Sequence, residues 1–169
     1  TVTAAKIKNI EATKSPQMIK AINPATGEHL GEVPFTPIEK MPEIFKEARS
    51  AQKIWENLSF KERGAHIIKM RDYLIKNGGS IAKAISQNNG KTLSDSYNTE
   101  VFPAVLACDW YAKKAKHFLK KETLPVSNVL FANKKNYILY KPRGVVGIIA
   151  PWNYPFSIPF GEIIMGLMA

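Results

Sequence analysis

Gly144-Val145-Val146-Gly147-Ile148-Ile149-Ala150-Pro151-Trp152-Asn153-Tyr154-Pro155-Phe156 decides the fold. A strand wetted on one face alternates polar and apolar residues, whereas residues 144–150 are apolar without a break. That run predicts a strand buried on both faces, as in a parallel sheet. Pro151 and Pro155 cannot donate a ladder hydrogen bond, so the segment between them is a loop. From Pro159 the sequence stays largely apolar to Ala169 and predicts the opening of a helix. Strand, loop and helix make the first half of a βαβ unit, which is completed by a second parallel strand. No second strand follows in the sequence. The expected reading is an α/β protein of which these residues are the front part, with the strand and helix left unpartnered.

Upstream of this stretch the pattern changes character. Val126–Ala132 and Tyr137–Lys141 alternate across Asn133-Lys134-Lys135-Asn136, which predicts a hairpin. Ser94 and Asp95 are candidate caps for a longer helix running towards Lys120, kinked or divided by Pro103. Ser59-Phe60-Lys61-Glu62 has the capping-box pattern and opens a helix expected to stop at Asn77-Gly78-Gly79. A short helix from Ser80 is expected to end at Asn88-Asn89-Gly90. Ile44, Phe45, Ala48, Ala51 and Trp55 recur at helical spacing, in a helix starting near Pro42. Asn23-Pro24-Ala25-Thr26-Gly27 is a turn cluster between Met18–Ile22 and Leu30–Phe35, an extended arm.

Composition narrows the function classes. The 169 residues are 45% hydrophobic and 22% charged, which excludes a disordered tail or a fibre. No apolar run reaches the roughly 18–20 residues that span a bilayer. One cysteine, Cys108, forms no intramolecular disulfide framework and fits a reducing compartment such as the cytosol. The net charge is +10, of which residues 111–143 supply +8 through nine basic side chains against Glu122 alone. Such a block suits phosphate, an anionic surface or an acidic partner. It lacks the aromatic interleaving of single-strand binding modules, so a solvated face is the simpler reading and no nucleic-acid partner is expected.

The chemistry is sparse. There is no Gly-x-Gly-x-x-Gly, no phosphate-cradling Gly-Lys-Ser/Thr loop and no metal-ligand spacing. His29, His66 and His117 lie in unrelated segments and read as surface or helix-face residues. Cys108 falls among Ala104, Val105, Ala107 and Trp110, where a small buried hydrophobe is expected rather than a nucleophile. What remains is the loop after the apolar run. In open α/β sheets ligands bind beyond the carboxyl ends of the strands, and an Asn amide there can donate to a developing oxyanion. Asn153 is equally compatible with a turn-forming role, and Trp152 with packing.

Taken in order, these residues resemble the N-terminal part of the NAD(P)-dependent aldehyde dehydrogenase superfamily. The matching landmarks are Asn23-Pro24-Ala25-Thr26-Gly27-Glu28, Ala48–Trp55, Glu62-Arg63, Gly90-Lys91, Glu100-Val101 and Trp110-Tyr111-Ala112. Lys141-Pro142-Arg143-Gly144-Val145-Val146-Gly147 then runs into the specific Ala150-Pro151-Trp152-Asn153-Tyr154-Pro155 loop. The resemblance implies that residues 1–123 are the N-terminal arm and the helices of a Rossmann-like cofactor domain. By the same resemblance, 124–143 is a hairpin of the oligomerisation domain, and 144–169 is the first strand, loop and helix start of the cofactor domain. It implies that the Asn153 amide helps form the oxyanion hole, and that Ile149, Ala150, Pro151 and Trp152 line the nicotinamide-ribose part of an NAD or NADP cleft. It further implies a cytoplasmic homo-oligomer, dimer or tetramer, that oxidises an aldehyde to an acid through a cysteine thiohemiacetal and thioester. The family's nucleophilic cysteine, general-base glutamate, ribose-binding lysine and glycine-rich cofactor loop have no match in this chain. Glu162 stands where many members carry a basic residue, and no role is carried over to it. The segment alone is expected to be inactive. The competing expectation is a truncated dehydrogenase-like module that binds or assembles without catalysis.

Overall fold

Ser59 and Glu62 exchange hydrogen bonds: the Ser59 hydroxyl accepts from the Glu62 amide, and the Glu62 carboxylate accepts from the Ser59 amide at 2.8 Å. This capping box starts the longest helix of the computed structural model, which describes residues 17–126, 128, 130 and 132–169. The elements are β1 (Met18–Ile22), β2 (His29–Pro34), α1 (Met41–Trp55), α2 (Phe60–Asn89) and α3 (Leu93–Ser96), followed by α4 (Phe102–Phe118), β3 (Glu122–Leu124), β4 (Asn136–Ile138) and α5 (Ser157–Met168).

Helix α2 does not stop at Asn77-Gly78-Gly79 as the sequence pattern predicts; it continues to Asn89, so the separate helix from Ser80 does not exist. The reason is packing. A Cβ at Gly78 would lie 3.0 Å from the Tyr97 ring, so Gly78 is the point where the next helical segment crosses closely. Asn77 turns its amide back to the Tyr73 carbonyl, inside the helix, instead of capping an end. The true end is Gly90, whose φ of +80° lets the chain reverse, with its N–H bonded to the Ser86 carbonyl.

Three residues later the chain is helical again. Thr92, not Ser94 or Asp95, is the cap: its hydroxyl accepts from the Asp95 amide at 3.0 Å and donates to the Asp95 carboxylate at 2.8 Å. Pro103 leaves its mark as expected, but as a wider turn. Residues 97–101 form a π turn in which the Phe102 N–H reaches back to the Tyr97 carbonyl, and α4 then begins with Pro103 in its first turn, where its missing N–H does no harm.

Helices α2, α4 and α5 share one core of Ile67, Leu74, Ala104, Cys108, Ala115, Ile164 and Met168. Ala82, Ile85 and Val101 form a second cluster beside it, against which Phe156 packs. Full burial of each large aliphatic side chain contributes about 1.5–3 kcal/mol. Helix α1 is tied to α5 by the Trp55 indole N–H, which donates to the Leu167 carbonyl at 2.7 Å.

Strands β1 and β2 pair antiparallel around the predicted turn, with Met18 opposite Pro34 and an irregularity at Ala21/Ile22. The second hairpin forms with different strands from those expected. Glu122–Leu124 pairs with Asn136–Ile138, because Pro125 ends the first strand before Val126 is reached. Val126, Asn128, Leu130 and Ala132 belong to no strand; Ser127, Val129 and Phe131 of that prediction lie outside the described residues.

The apolar run 144–150 leads into the loop without forming a strand, and no strand lies beside it among the described residues. Strand structure is a property of a pair, so this run forms no ladder, and the expected burial on both faces is not seen. Ile149 is fully exposed. Val145 and Ile148 are partly covered and, with Ala48, Trp55 and Ile163, line a cleft of about 390 Å³ between α1 and α5. Helix α5 begins at Ser157, two residues ahead of the predicted start.

Candidate functional site

The loop that the sequence singles out projects from the body of the chain. Trp152 is 81% exposed; Pro151 and Asn153 are exposed, and Ala150 is half-buried. Ile149, Ala150, Pro151, Trp152 and Asn153 are thus brought together as one continuous surface, apolar except for the Asn153 carboxamide. That carboxamide is exposed and makes no hydrogen bond to any other described residue.

Exposure of this kind usually accompanies a mobile backbone, yet the loop is held at three points. The Asn89 amide at the end of α2 donates to the Trp152 carbonyl at 2.9 Å. The Lys91 ammonium sits 3.6 Å from the centre of the Tyr154 ring. Glu100, with no exposed surface, accepts from the Phe156 N–H at 3.0 Å and the Ser157 N–H at 2.8 Å. Its other oxygen accepts from Lys91 at 2.5 Å. Phe156 then stacks on Phe160, 5.1 Å between centroids, carrying the loop into α5. The Glu100 carboxylate therefore satisfies N–H groups at the start of α5 that the helix leaves without internal partners. Burial alone raises the Glu100 pKa; the Lys91 hydrogen bond and the two backbone donors outweigh it and hold the carboxyl below its ordinary range.

Sequence reasoning used Gly90-Lys91 and Glu100-Val101 only as landmarks and did not assign Glu100, Lys91 or Asn89 a place at the loop. A signal was available. Glu100, Ala104, Cys108 and Ala115 lie on one helical stripe, all buried. A lone carboxylate on an apolar stripe demands a partner of opposite charge and further donors.

Cys108 and the three histidines lie where the sequence suggests. Cys108 is buried in the core, and burial pushes its thiol up to about 11, far from a reactive thiolate. His29, His66 and His117 are all exposed and in separate places; His66 leans on Trp55 and His117 on Phe118. No group of acidic, His and Cys side chains suited to a metal occurs among the described residues. Among these residues, too, no helix is long and apolar enough to cross a membrane.

Comparison with known proteins gives one consistent result. The profile of the aldehyde dehydrogenase family matches residues 10–169. The chain is 31% identical over 161 residues to an aldehyde dehydrogenase-like protein of Saccharomyces cerevisiae, covering 94% of this chain and 25% of that protein. It is 30% identical over 165 residues to the NADP-dependent glyceraldehyde-3-phosphate dehydrogenase of Streptococcus equinus, covering 95% of this chain and 34% of that one. Among solved structures, an aldehyde dehydrogenase from Brucella melitensis biovar abortus superposes with a TM-score of 0.83 at 28% identity, over 90% of this chain and 31% of the other. The chain thus spans between a quarter and about a third of the length of the proteins it matches.

Proposed function

The chain belongs to the aldehyde dehydrogenase family, and from that premise we propose that it is the front part of an enzyme that oxidises an aldehyde to a carboxylic acid with NAD or NADP. The observation that carries this reading is the Asn153 carboxamide on a loop that is exposed yet anchored at three points. As a nucleophile adds to an aldehyde, the carbonyl oxygen takes up negative charge; the Asn153 N–H donors meet that oxygen and stabilise the charge. The nucleophile, a cysteine forming first a thiohemiacetal and then a thioester, and the general base that activates water both lie outside this chain.

The residues present also fit the cofactor. Ile149, Pro151 and Trp152 offer an exposed, contiguous apolar surface for a flat ring, beside the backbone of a half-buried Ala150. When bound, the nicotinamide supplies the acceptor for the hydride that leaves the aldehyde carbon. Ile149, Ala150, Pro151 and Trp152 would hold the ring and ribose near Asn153, the residue that follows them in the loop. A relative named as NADP-dependent supports a nicotinamide dinucleotide as the cofactor. The hairpin 124–143 serves a dimer or tetramer, which accounts for part of the basic block without nucleic acid. A cytoplasmic setting suits an enzyme that works through a free thiolate.

The test is aldehyde-dependent reduction of NAD and of NADP by the protein at the full length its gene encodes. Asn153→Ala is expected to lower kcat by about 10²–10³-fold while leaving cofactor affinity nearly unchanged. Unaltered turnover in Asn153→Ala removes the oxyanion role.

A further inference from the structure

We propose that Glu100, with Lys91 and Asn89, is the positioning device that sets Asn153 for the reaction. The proposal rests on the oxyanion reading above and adds to it residues that never touch the substrate.

The geometry points to this role because the three contacts bracket Asn153. Asn89 fixes the peptide carbonyl of Trp152, the residue immediately before it. Lys91 lies over the ring of Tyr154, the residue immediately after it. Glu100 fixes the amides of Phe156 and Ser157, which set where α5 starts and so where the loop must end. Lys91 bridges the second and third contacts through its ion pair with Glu100. The three side chains come from the end of α2, the α2–α3 turn and the π turn, elements rooted in the helical core. The π turn matters here: it falls across residues 97–101 and carries Glu100. A donor held by such a frame is ready before the oxygen becomes charged, and reorganisation is avoided. Apolar packing alone would fix the loop's position without needing a buried carboxylate, an arrangement that is unfavourable unless every lone pair is used.

The experiment is a double-mutant cycle on the full-length protein with NAD and NADP. A panel of propanal, hexanal, benzaldehyde and succinic semialdehyde is tried, and the most rapidly oxidised member is kept. Glu100→Gln preserves the shape of the side chain but removes the charge that holds Lys91 and the two amides. It is expected to lower kcat about tenfold or more, since small misplacements of a reacting group carry penalties of that order. The KM for the cofactor is expected to stay within about twofold of the unsubstituted protein. In the Asn153→Ala background the same substitution is expected to have almost no further effect on kcat, because the group it positions is gone. A merely structural Glu100 would lower kcat by the same factor in both backgrounds, and that result overturns the proposal. So does an unchanged kcat in Glu100→Gln. If Glu100→Gln does not accumulate as folded protein, Asn89→Ala, at a partly buried position outside the core clusters, carries the same cycle with an expected loss of about threefold. Failure of the underlying reading looks different. In that case either no aldehyde of the panel is oxidised, or Asn153→Ala itself leaves kcat unchanged.

Discussion

At the scale of single residues, burial decides what each ionisable group can do. Glu100 has its folded-state pKa lowered, so its contribution to stability is fully present above the unfolded value of about 4.3 and is lost as pH falls through the folded value. Thermal unfolding followed from pH 7 down to pH 3 is therefore expected to show a steeper loss of Tm in the unsubstituted protein than in Glu100→Gln. Parallel curves would mean that the carboxylate is not charged in the fold. Cys108 is the opposite case. With its thiol raised to about 11 by burial, it is expected to resist iodoacetamide at neutral pH and to react once the chain is unfolded in denaturant. Rapid labelling of the native protein would show that the helix around it opens. The inert cysteine was legible in the sequence, because Ala104, Val105 and Ala107 surround it with small apolar neighbours. The partners of the buried glutamate were not, because they lie nine residues away in Lys91 and 56 and 57 residues away in Phe156 and Ser157.

At the scale of elements, the adjacent glycines in the middle of α2 make opposite predictions. Gly79 faces open space, so Gly79→Ala is expected to stabilise the protein by about 0.5–1 kcal/mol through helix propensity. Gly78 faces the Tyr97 ring at 3.0 Å, so Gly78→Ala is expected to destabilise it by about 1–3 kcal/mol through overpacking. Denaturant midpoints of the two variants check both signs at once; equal shifts would mean that α3 and the π turn do not press on α2. This pair also explains one failure of the sequence reading. Asn-Gly-Gly is a stop signal by local rules, and only the crossing of a segment some twenty residues further on turns it into a contact point. Local rules succeeded where the element is locally determined, at the Ser59–Glu62 box and at Gly90. They misplaced the strands of the second hairpin because alternation continues past Pro125, whereas the described ladder pairs Glu122–Leu124 with Asn136–Ile138. They anticipated the break at Pro103 but not its form as a π turn.

At the scale of the whole molecule, the run 144–150 joins no ladder among the described residues and exposes the Val146 and Ile149 side chains. An apolar edge of this kind invites pairing with another chain. The 169-residue chain is expected to self-associate as its concentration rises, and Val146→Lys to shift light scattering back towards monomer. Scattering that does not respond to Val146→Lys would place the contact elsewhere. The unbroken apolar character of this run predicts a strand buried on both faces, which the described residues do not form, since a strand's partners are written in other parts of a sequence. The tie between Trp55 and Leu167, 112 residues apart, has a consequence for the order in which the molecule is made. During translation α2 and α4 emerge early and can join through the Arg71–Asp109 ion pair. The indole of Trp55 must wait for Leu167, as Asn89 waits for Trp152 and Glu100 for Ser157. A ribosome that stalls before residue 150 therefore holds a helical pair with an empty grip, and each nascent chain carries its Glu100 carboxylate with Lys91 as its partner and one oxygen still waiting until the loop it is built to hold has been synthesised.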